Sequence, residues 1–394
     1  MTAGTGPAVI AGIGHTDYSR NSGRSEAHLA VEAVVAAIGD SGIPAHLVDG
    51  FVTYTMDSTD EIVLQRNLGL ERLNYTGRAP YGGTSLCSTF LQAKLAVESG
   101  VAEVVVCYRA LNERSGGRFG HGVGHGFGAS TFGLSAETDH YGLYLPFGLR
   151  NAAGWIAMQA RRYMHRYGIA STDLAEVTVA ARRFAATNPQ ARFFQRPVTV
   201  ADHQASRFVV EPLRLLDCCM ESDGGVAVLV TSRARAVEHG ADYVDISSIA
   251  TGSGTRQQLM TSYDRSDARL FDELAVMAEN LWSRTDLRPD DVDVAICYDH
   301  FTPMVMAQLE GHGFCGPGEA KDFIAGGRIG PGGTLPVNPH GGQLGEAYLH
   351  GFNGVVEAVR QLRGTAVNQV ENAQVALVSA PPGCPTSGML LTRR

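Results

Sequence analysis

Apolar positions along the chain follow two alternating rhythms. Ala8–Ile13 is a continuous apolar run of strand length, and Ser25–Ile38 carries apolar residues at helical spacing before ending near Gly39 and Gly42. Phe51–Thr55 reads as a second strand, a Gly82–Gly83 pair introduces a helix over Ser85–Glu98, and Ala102–Cys107 reads as a buried strand. This β-α-β-α-β order predicts a parallel sheet covered by helices.

The same order returns in the second half. Tyr243–Ala250 is a predicted strand, Leu270–Trp282 a helix and Val292–Tyr298 a strand; a Gly341–Gly342 pair then leads a helix through Leu362, and Gln374–Val378 is the predicted closing strand. The repetition predicts a duplicated α/β unit, with halves at 1–240 and 241–394. Residues from about 112 to 212 break the rhythm and read as a lid inserted into the first copy. Ser115–Gly133 holds eight glycines, the composition of a loop that wraps a ligand or partner. Beyond it Ala152–Tyr167 and Asp173–Ala186 are predicted helices, and Gly224–Thr231 resumes the first copy.

Composition narrows the function. With 394 residues, 44% hydrophobic and 18% charged, the chain buries a large core and fits neither disorder, collagen nor coiled coil. A formal net charge of −8 argues against a nucleic-acid or membrane-surface partner. The first residues lack the charged start and long apolar stretch of a signal peptide, and no apolar run approaches the roughly 18 residues of a membrane span. A cytoplasmic location is therefore expected. The seven cysteines show no Cys-x-x-Cys spacing, which indicates neither a structural zinc nor a disulfide framework.

Several familiar chemistries fail on particular residues. Gly12-Ile-Gly14 follows a strand, but Asp17 stands where a dinucleotide fingerprint needs its third glycine. No Gly-Lys phosphate loop exists, because Ala93 and Ala320 precede Lys94 and Lys321, the chain's only lysines. Lys94 lies mid-helix and Lys321 in a polar stretch, so neither suits a Schiff-base nucleophile. His121 and His125 sit among glycines without a third ligand, and Asp139, His140 and Tyr141 offer polar lid contacts at most. No metal site is expected. The repeated Gly-Gly at a helix head is more informative: it offers backbone amides and a positive dipole end to an acyl carbonyl or enolate oxygen, although tight packing also requires glycine there.

Taken with the duplication, several segments carry a resemblance. They are Ser99-Gly-Val-Ala-Glu103, Asn188-Pro189, Glu221-Ser-Asp-Gly-Gly225, Tyr298-Asp-His-Phe-Thr302 and Pro336-Val-Asn-Pro-His-Gly-Gly342. The chain resembles the thiolase superfamily over nearly its whole length, particularly the lipid-transfer or sterol-carrier type. Cys107-Tyr-Arg-Ala-Leu-Asn-Glu-Arg-Ser-Gly116 is similar to the thiolase-like aldolases that shorten steroid side chains. The resemblance implies an α/β thiolase fold with a layered αβαβα core.

The departures from the family pattern decide the chemistry. The family's nucleophilic cysteine falls at Gly83; Cys87, one turn on, reads as a core residue. The family's two histidines fall at Tyr298 and Tyr348, and its C-terminal cysteine near Ser379, with Cys384 a few residues on. Without a thiolate at position 83 no acyl-enzyme forms by the thiolase route. Two phenols and an acyl-CoA-shaped site suit retro-aldol cleavage of a β-hydroxyacyl-CoA, with Tyr298 and Tyr348 as base and acid in an unassigned order. A free tyrosine is only about 0.1% ionised at pH 7, so a tyrosine base needs a cation, hydrogen-bond donors or a concerted relay. His300 and His340 are candidates by proximity, and Gly83 and Gly342 are candidate substrate-binding positions.

By resemblance the substrate is a 17-hydroxy steroid with a C20-carboxyl-CoA side chain, cleaved to a 17-ketosteroid and propionyl-CoA. No cofactor is implied, CoA being part of the substrate. A homodimer is implied, joined by a small OB-fold and zinc-ribbon partner into a heterotetramer. Two other readings stay open: an acyl-CoA thiolase or acyltransferase using Cys87 or Cys384, and a non-catalytic acyl-CoA or lipid carrier.

Overall fold

The computed structural model describes residues 6–118, 144–258, 261–263 and 270–393. Much of the predicted glycine loop, with His121, His125, Asp139, His140 and Tyr141, lies outside the described residues. The first half builds β1 (Ala8–His15), α1 (Glu26–Ser41), β2 (Gly50–Tyr54), α2 (Glu61–Leu68), β3 (Tyr75–Ala79), α3 (Leu86–Glu98) and β4 (Val104–Asn112). Ser25 caps α1 by accepting from the His28 amide, and Gly42 ends it at φ 67°, which fits the predicted stop.

The insertion supplies α4 (Ala152–Tyr167), α5 (Ser171–Thr187), α6 (Val200–Ala205) and a small hairpin, β5 (Phe208–Val210) with β6 (Leu213–Arg214). β7 (Asp223–Ser232) and α7 (Arg233–Glu238) close the first half. The second contains β8 (Val244–Gly252), α8 (Asp272–Trp282), β9 (Val294–Cys297), α9 (Thr302–His312), α10 (Ala320–Ile324), α11 (Gly342–Gly345), α12 (Phe352–Arg363), β10 (Val375–Ser379) and β11 (Thr386–Thr392).

Nine strands form one sheet in the order β3-β2-β4-β7-β1-β8-β11-β10-β9. β1 meets β8 antiparallel at its centre, through Val9 opposite Asp245 and Ile10 opposite Val244. On one side β2 lies parallel to β3 and β4; on the other β9 lies parallel to β10, and Val337 bridges parallel to Ala295 where β3 would stand.

The wholly parallel sheet expected from the sequence is corrected by β7 and β11. Each runs antiparallel to its neighbours. The short connection Ala380–Pro385 leaves no room for the crossover that a parallel return requires. β11 also follows the strand predicted to be the last.

Alternation along the strands builds the layers. Val105 and Cys107 of β4 face the same core as Ile296 of β9, Val378 of β10, Phe90 of α3 and Phe352 of α12. Val104, Val106 and Tyr108 face α1 through Leu29, Ala33 and Ala37. Ala295 and Leu377 face α8, α9 and α5. The result is a layered αβαβα thiolase core, with α3 and α12 in the shared central layer. α5 packs through Leu174 and Val177 in the second half's outer core, while α4 meets Phe301 and Met304.

The predicted long helix through Leu362 is broken between Gly345 and Phe352, where His350 has φ 50° and Gly351 φ 83°. That break places Tyr348 on a turn. Among the described residues no helix is long and apolar enough to cross a membrane.

Candidate active site

Tyr298 is the first residue beyond β9, and its backbone is held from two sides. Its amide donates to the Ser379 carbonyl and the Gln308 carboxamide oxygen, while the Gln308 amide group donates to its carbonyl at 2.9 Å. Tyr348 is carried by the turn between α11 and α12, its amide donating to the Ser222 hydroxyl at 3.2 Å. These supports bring the two phenols together. The Tyr298 hydroxyl donates to the Tyr348 hydroxyl at 3.0 Å, with the rings edge to face at 6.2 Å. Both side chains are buried, and burial raises both phenols well above 10. The hydroxyl–hydroxyl bond holds the Tyr298 proton further.

Gly83 explains why Tyr298 can lie there. A Cβ at residue 83 would overlap Cζ and Oη of the Tyr298 ring, and one at Gly82 would come 3.1 Å from His350 Nε2. The glycines permit close approach of two rings. Where the family pattern puts a cysteine side chain, this protein puts a phenol.

Gly342 plays a different part from the one expected. The Asp299 carboxylate accepts from the Gln343 amide at 2.7 Å and the Leu344 amide at 3.2 Å, and a Cβ on Gly342 would collide with it. The predicted open amide cradle at this helix start is therefore occupied by the protein's own carboxylate. Burial lifts Asp299 to about 6, against the stabilising pull of those amides.

β9 ends before His300, yet the turn returns its ring to 5.0 Å from that of Tyr298. Burial lowers His300 to about 3, so its imidazole is neutral and supplies no cation. His340 is likewise lowered to about 3, by burial and then by Arg360. It lines a small cavity shared with Tyr298, Asp299, Gln343, Asn353 and Ser379.

The charged group that sequence reasoning missed is Arg109 of β4. It is fully buried, pairs with Asp57 at 2.8 Å, and donates through Nε to Nδ1 of His350 at 3.0 Å. Because arginine is always a donor, Nδ1 of His350 must accept, which leaves that imidazole neutral with its proton on Nε2. The His350 ring lies 5.2 Å from Tyr348 and its carbonyl accepts from the Tyr54 hydroxyl. Arg109 stands within the Cys107–Gly116 segment, so the sequence held a signal for it.

Cys87 and Cys384 take no part in this cluster; Cys219 borders it, its amide donating to the His300 carbonyl at 2.8 Å. Cys87 is buried in the central layer, its amide donating to the Ser387 hydroxyl, and burial pushes its thiol far up. The half-buried Cys384 lies 3.6 Å from the Ser253 hydroxyl. Lys94 pairs with Glu98, and Lys321 donates to the Tyr167 carbonyl at 2.9 Å. Among the described residues no group of three or more His, Cys, Asp or Glu side chains is arranged to hold a metal.

Comparison with known proteins fits this arrangement. Residues 254–391 match the thiolase C-terminal domain-like family. The chain is 52% identical to a steroid side-chain-cleaving aldolase of Thermomonospora curvata over 391 residues, covering 99% of each. It is 49% identical to the 17-hydroxy-3-oxo-4-pregnene-20-carboxyl-CoA lyase of Mycobacterium tuberculosis, covering 98% of this chain and 99% of that one. Among solved structures, an Ltp2-ChsH2(DUF35) aldolase superposes with TM-score 0.92 at 52% identity over 98% of both chains. Human mitochondrial 3-ketoacyl-CoA thiolase, at TM-score 0.70 and 13% identity over the full length of both, shares the fold. With near-full-length identity to aldolases of this kind, the chain belongs to the lipid-transfer and sterol-carrier branch of the thiolase superfamily, among the steroid side-chain-cleaving aldolases, and is a carbon–carbon lyase.

Proposed function

We propose that the protein cleaves a steroid β-hydroxyacyl-CoA by a retro-aldol reaction in which Tyr298 and Tyr348 move one proton between them. The substrate is a 17-hydroxy steroid bearing a C20-carboxyl-CoA side chain; the products are a 17-ketosteroid and propionyl-CoA. The observation that carries this reading is the 3.0 Å contact between the two hydroxyls.

Both phenols are held protonated at neutral pH, so a standing phenolate is a poor base here. A relay avoids it. The C17 hydroxyl proton passes to the Tyr298 oxygen as the Tyr298 proton passes to Tyr348 and the Tyr348 proton passes to C20. The C17–C20 bond breaks ahead of that last transfer, its electron pair held on C20 and the thioester oxygen as enolate character until it forms the new C20–H bond with the Tyr348 proton, while C17 becomes a ketone. Each phenol gains one proton as it gives one, and both end neutral. His300 and His350 brace the rings as uncharged neighbours, and the relay needs no cation.

The halves at 1–240 and 241–394 belong to the same reading, supported by the matching strand orders on either side of the β1–β8 contact. So does a homodimer joined by a small partner with an OB-fold and zinc ribbon. The name of the Ltp2-ChsH2(DUF35) aldolase, a complex by its wording, supports a partner of that kind.

The test is cleavage of the steroid thioester by the protein co-expressed with such a partner, comparing Tyr298→Phe, Tyr348→Phe and Cys87→Ser. The tyrosine variants should lose the reaction and Cys87→Ser should keep it. The reverse pattern would favour a thiolase or acyltransferase, and tight binding without turnover a carrier.

A further inference from the structure

The relay accounts for the travelling proton and leaves unanswered the negative charge that builds on the thioester oxygen before C20 takes that proton. The amides of Gln343 and Leu344 already serve Asp299, and that of Cys87 serves Ser387. Glu113, immediately beyond β4, is a buried acid near the phenols that nothing yet explains; the other unpartnered polar atoms there, on His300, His340, Gln343 and Asn353, belong to uncharged side chains. Glu113 is only 4% exposed, and its Oε2 has no hydrogen-bond partner. Burying an unpaired carboxylate is costly, so the protonation state of this side chain is the first question.

Its surroundings say which form it takes. Glu221 and Asp223 press negative charge on it from the segment entering β7, and the Ser222 amide and Arg109 of β4 oppose them. Arg109 is committed to Asp57 and His350. Tyr348 and Tyr298 lie near enough for Glu113 to disfavour their phenolates, and Cys219 acts on both in the same sense. Burial leads and the two acids reinforce it, so the carboxyl is held neutral well above the ordinary glutamate range. A neutral carboxyl has an O–H to donate. Among the described residues nothing accepts it.

We propose that Glu113 acts as a neutral carboxylic acid whose O–H donates a hydrogen bond to the thioester oxygen of the substrate, stabilising the enolate as the carbon–carbon bond breaks. The proton stays on Glu113, and the relay between the tyrosines is unchanged. The assignment rests on the retro-aldol reading and adds a third group to it. Oxygen donors matched to developing charge in a dry site are among the strongest catalytic devices available.

Three variants of the partner-complexed protein test this. Glu113→Gln keeps an N–H donor without the acid, and its kcat should stay within about threefold of wild type, whereas Glu113→Leu and Glu113→Ala should lose about 100-fold in kcat with KM nearly unchanged. The pH profile supplies a second readout. Both phenols titrate well above 10, and Asp299, Glu346 and Glu357 are raised to about 6, 7 and 8, so Glu113 is reported by the part of the alkaline fall that vanishes in Glu113→Gln and persists in the other three carboxamide variants.

An infrared difference spectrum of wild type against Glu113→Gln should show the loss of a carboxylic-acid carbonyl band at neutral pH. The proposal is overturned if Glu113→Leu keeps wild-type kcat, if Glu113→Gln is as inactive as Glu113→Leu, or if the lost band is that of a carboxylate. Should the apolar variants fail to fold, the near-isosteric Glu113→Gln decides through its profile and spectrum. A wild-type complex that cleaves no steroid thioester would sink the functional reading itself, a result distinct from each of these.

Discussion

Two Gly-Gly pairs stand at corresponding places in the two halves, and the protein uses them in opposite ways. At Gly82–Gly83 the missing side chains make room for rings: Tyr298 fills the space beside Gly83 and His350 the space beside Gly82. At Gly341–Gly342 they make room for a charge, the Asp299 carboxylate seated on the amides of Gln343 and Leu344. The first pair admits the Tyr298 ring from far along the chain. The second fixes the turn that carries Tyr348. The same dipeptide is permissive at both places, and what enters the vacated volume is decided by residues far away in sequence.

The largest effect expected from breaking this arrangement is at the phenols. Tyr298→Phe and Tyr348→Phe should each lower kcat by about 10²–10⁴-fold. Their double variant should be hardly worse than either, because both serve one proton path. Losses that multiply in steady-state assays would show that the phenols act independently.

Next comes the carboxylate. Asp299→Ala strands two buried amides at about 1–3 kcal/mol each. It should lower stability in denaturant titrations and kcat together by loosening the turn under Tyr348. Ser387→Ala, at the other helix start, removes a neutral hydroxyl that accepts from the Cys87 amide and donates to the Thr84 carbonyl, and should cost less than removing a carboxylate seated on two amides. Equal losses would erase the distinction between the two starts.

Filling the ring slot is a smaller perturbation. Gly83→Ala drives a methyl into Tyr298, and overpacking of this kind costs about 1–3 kcal/mol. The kcat should fall with little change in KM. An unchanged kcat would mean that the ring position is not critical.

The smallest effect is electrostatic. Asp299 is raised from 3.8 to about 6, so the native state holds this proton more tightly than the unfolded chain does. The group's contribution to stability is therefore fullest below the unfolded value, falls as pH rises between the two values, and is constant above them. Asp299→Asn lacks that term, so the melting temperature of wild type relative to the variant should decline across this window. A rise would show that the amides outweigh burial.

Much of this was legible in the chain. Tyr298 and Tyr348 could be singled out by the family resemblance, and the strands β1, β2, β4, β7, β9 and β10 stood out because each carries a short apolar run. β3, with Gly77 and Arg78 in its middle, has no such pattern and was missed. α9 was missed because it is apolar on nearly all sides, buried between α5 and α8, although Pro303 in its first turn was a usable start signal. The helix predicted through Leu362 failed at His350 and Gly351, whose positive φ a periodicity argument does not register.

The sequence by itself determined the order of strands and helices and its repetition in the second half, because periodicity and glycine spacing are local properties, while the thiolase type came from its resemblance to that family. Only the tertiary structure decided that the two phenols touch, that Asp299 occupies the second helix start, and that Arg109 is committed to Asp57 and His350. Those contacts join β4, the segment after β2, the turn after β9 and the turn before α12. Their protonation follows from a burial that none of these segments has until the central layer closes over them.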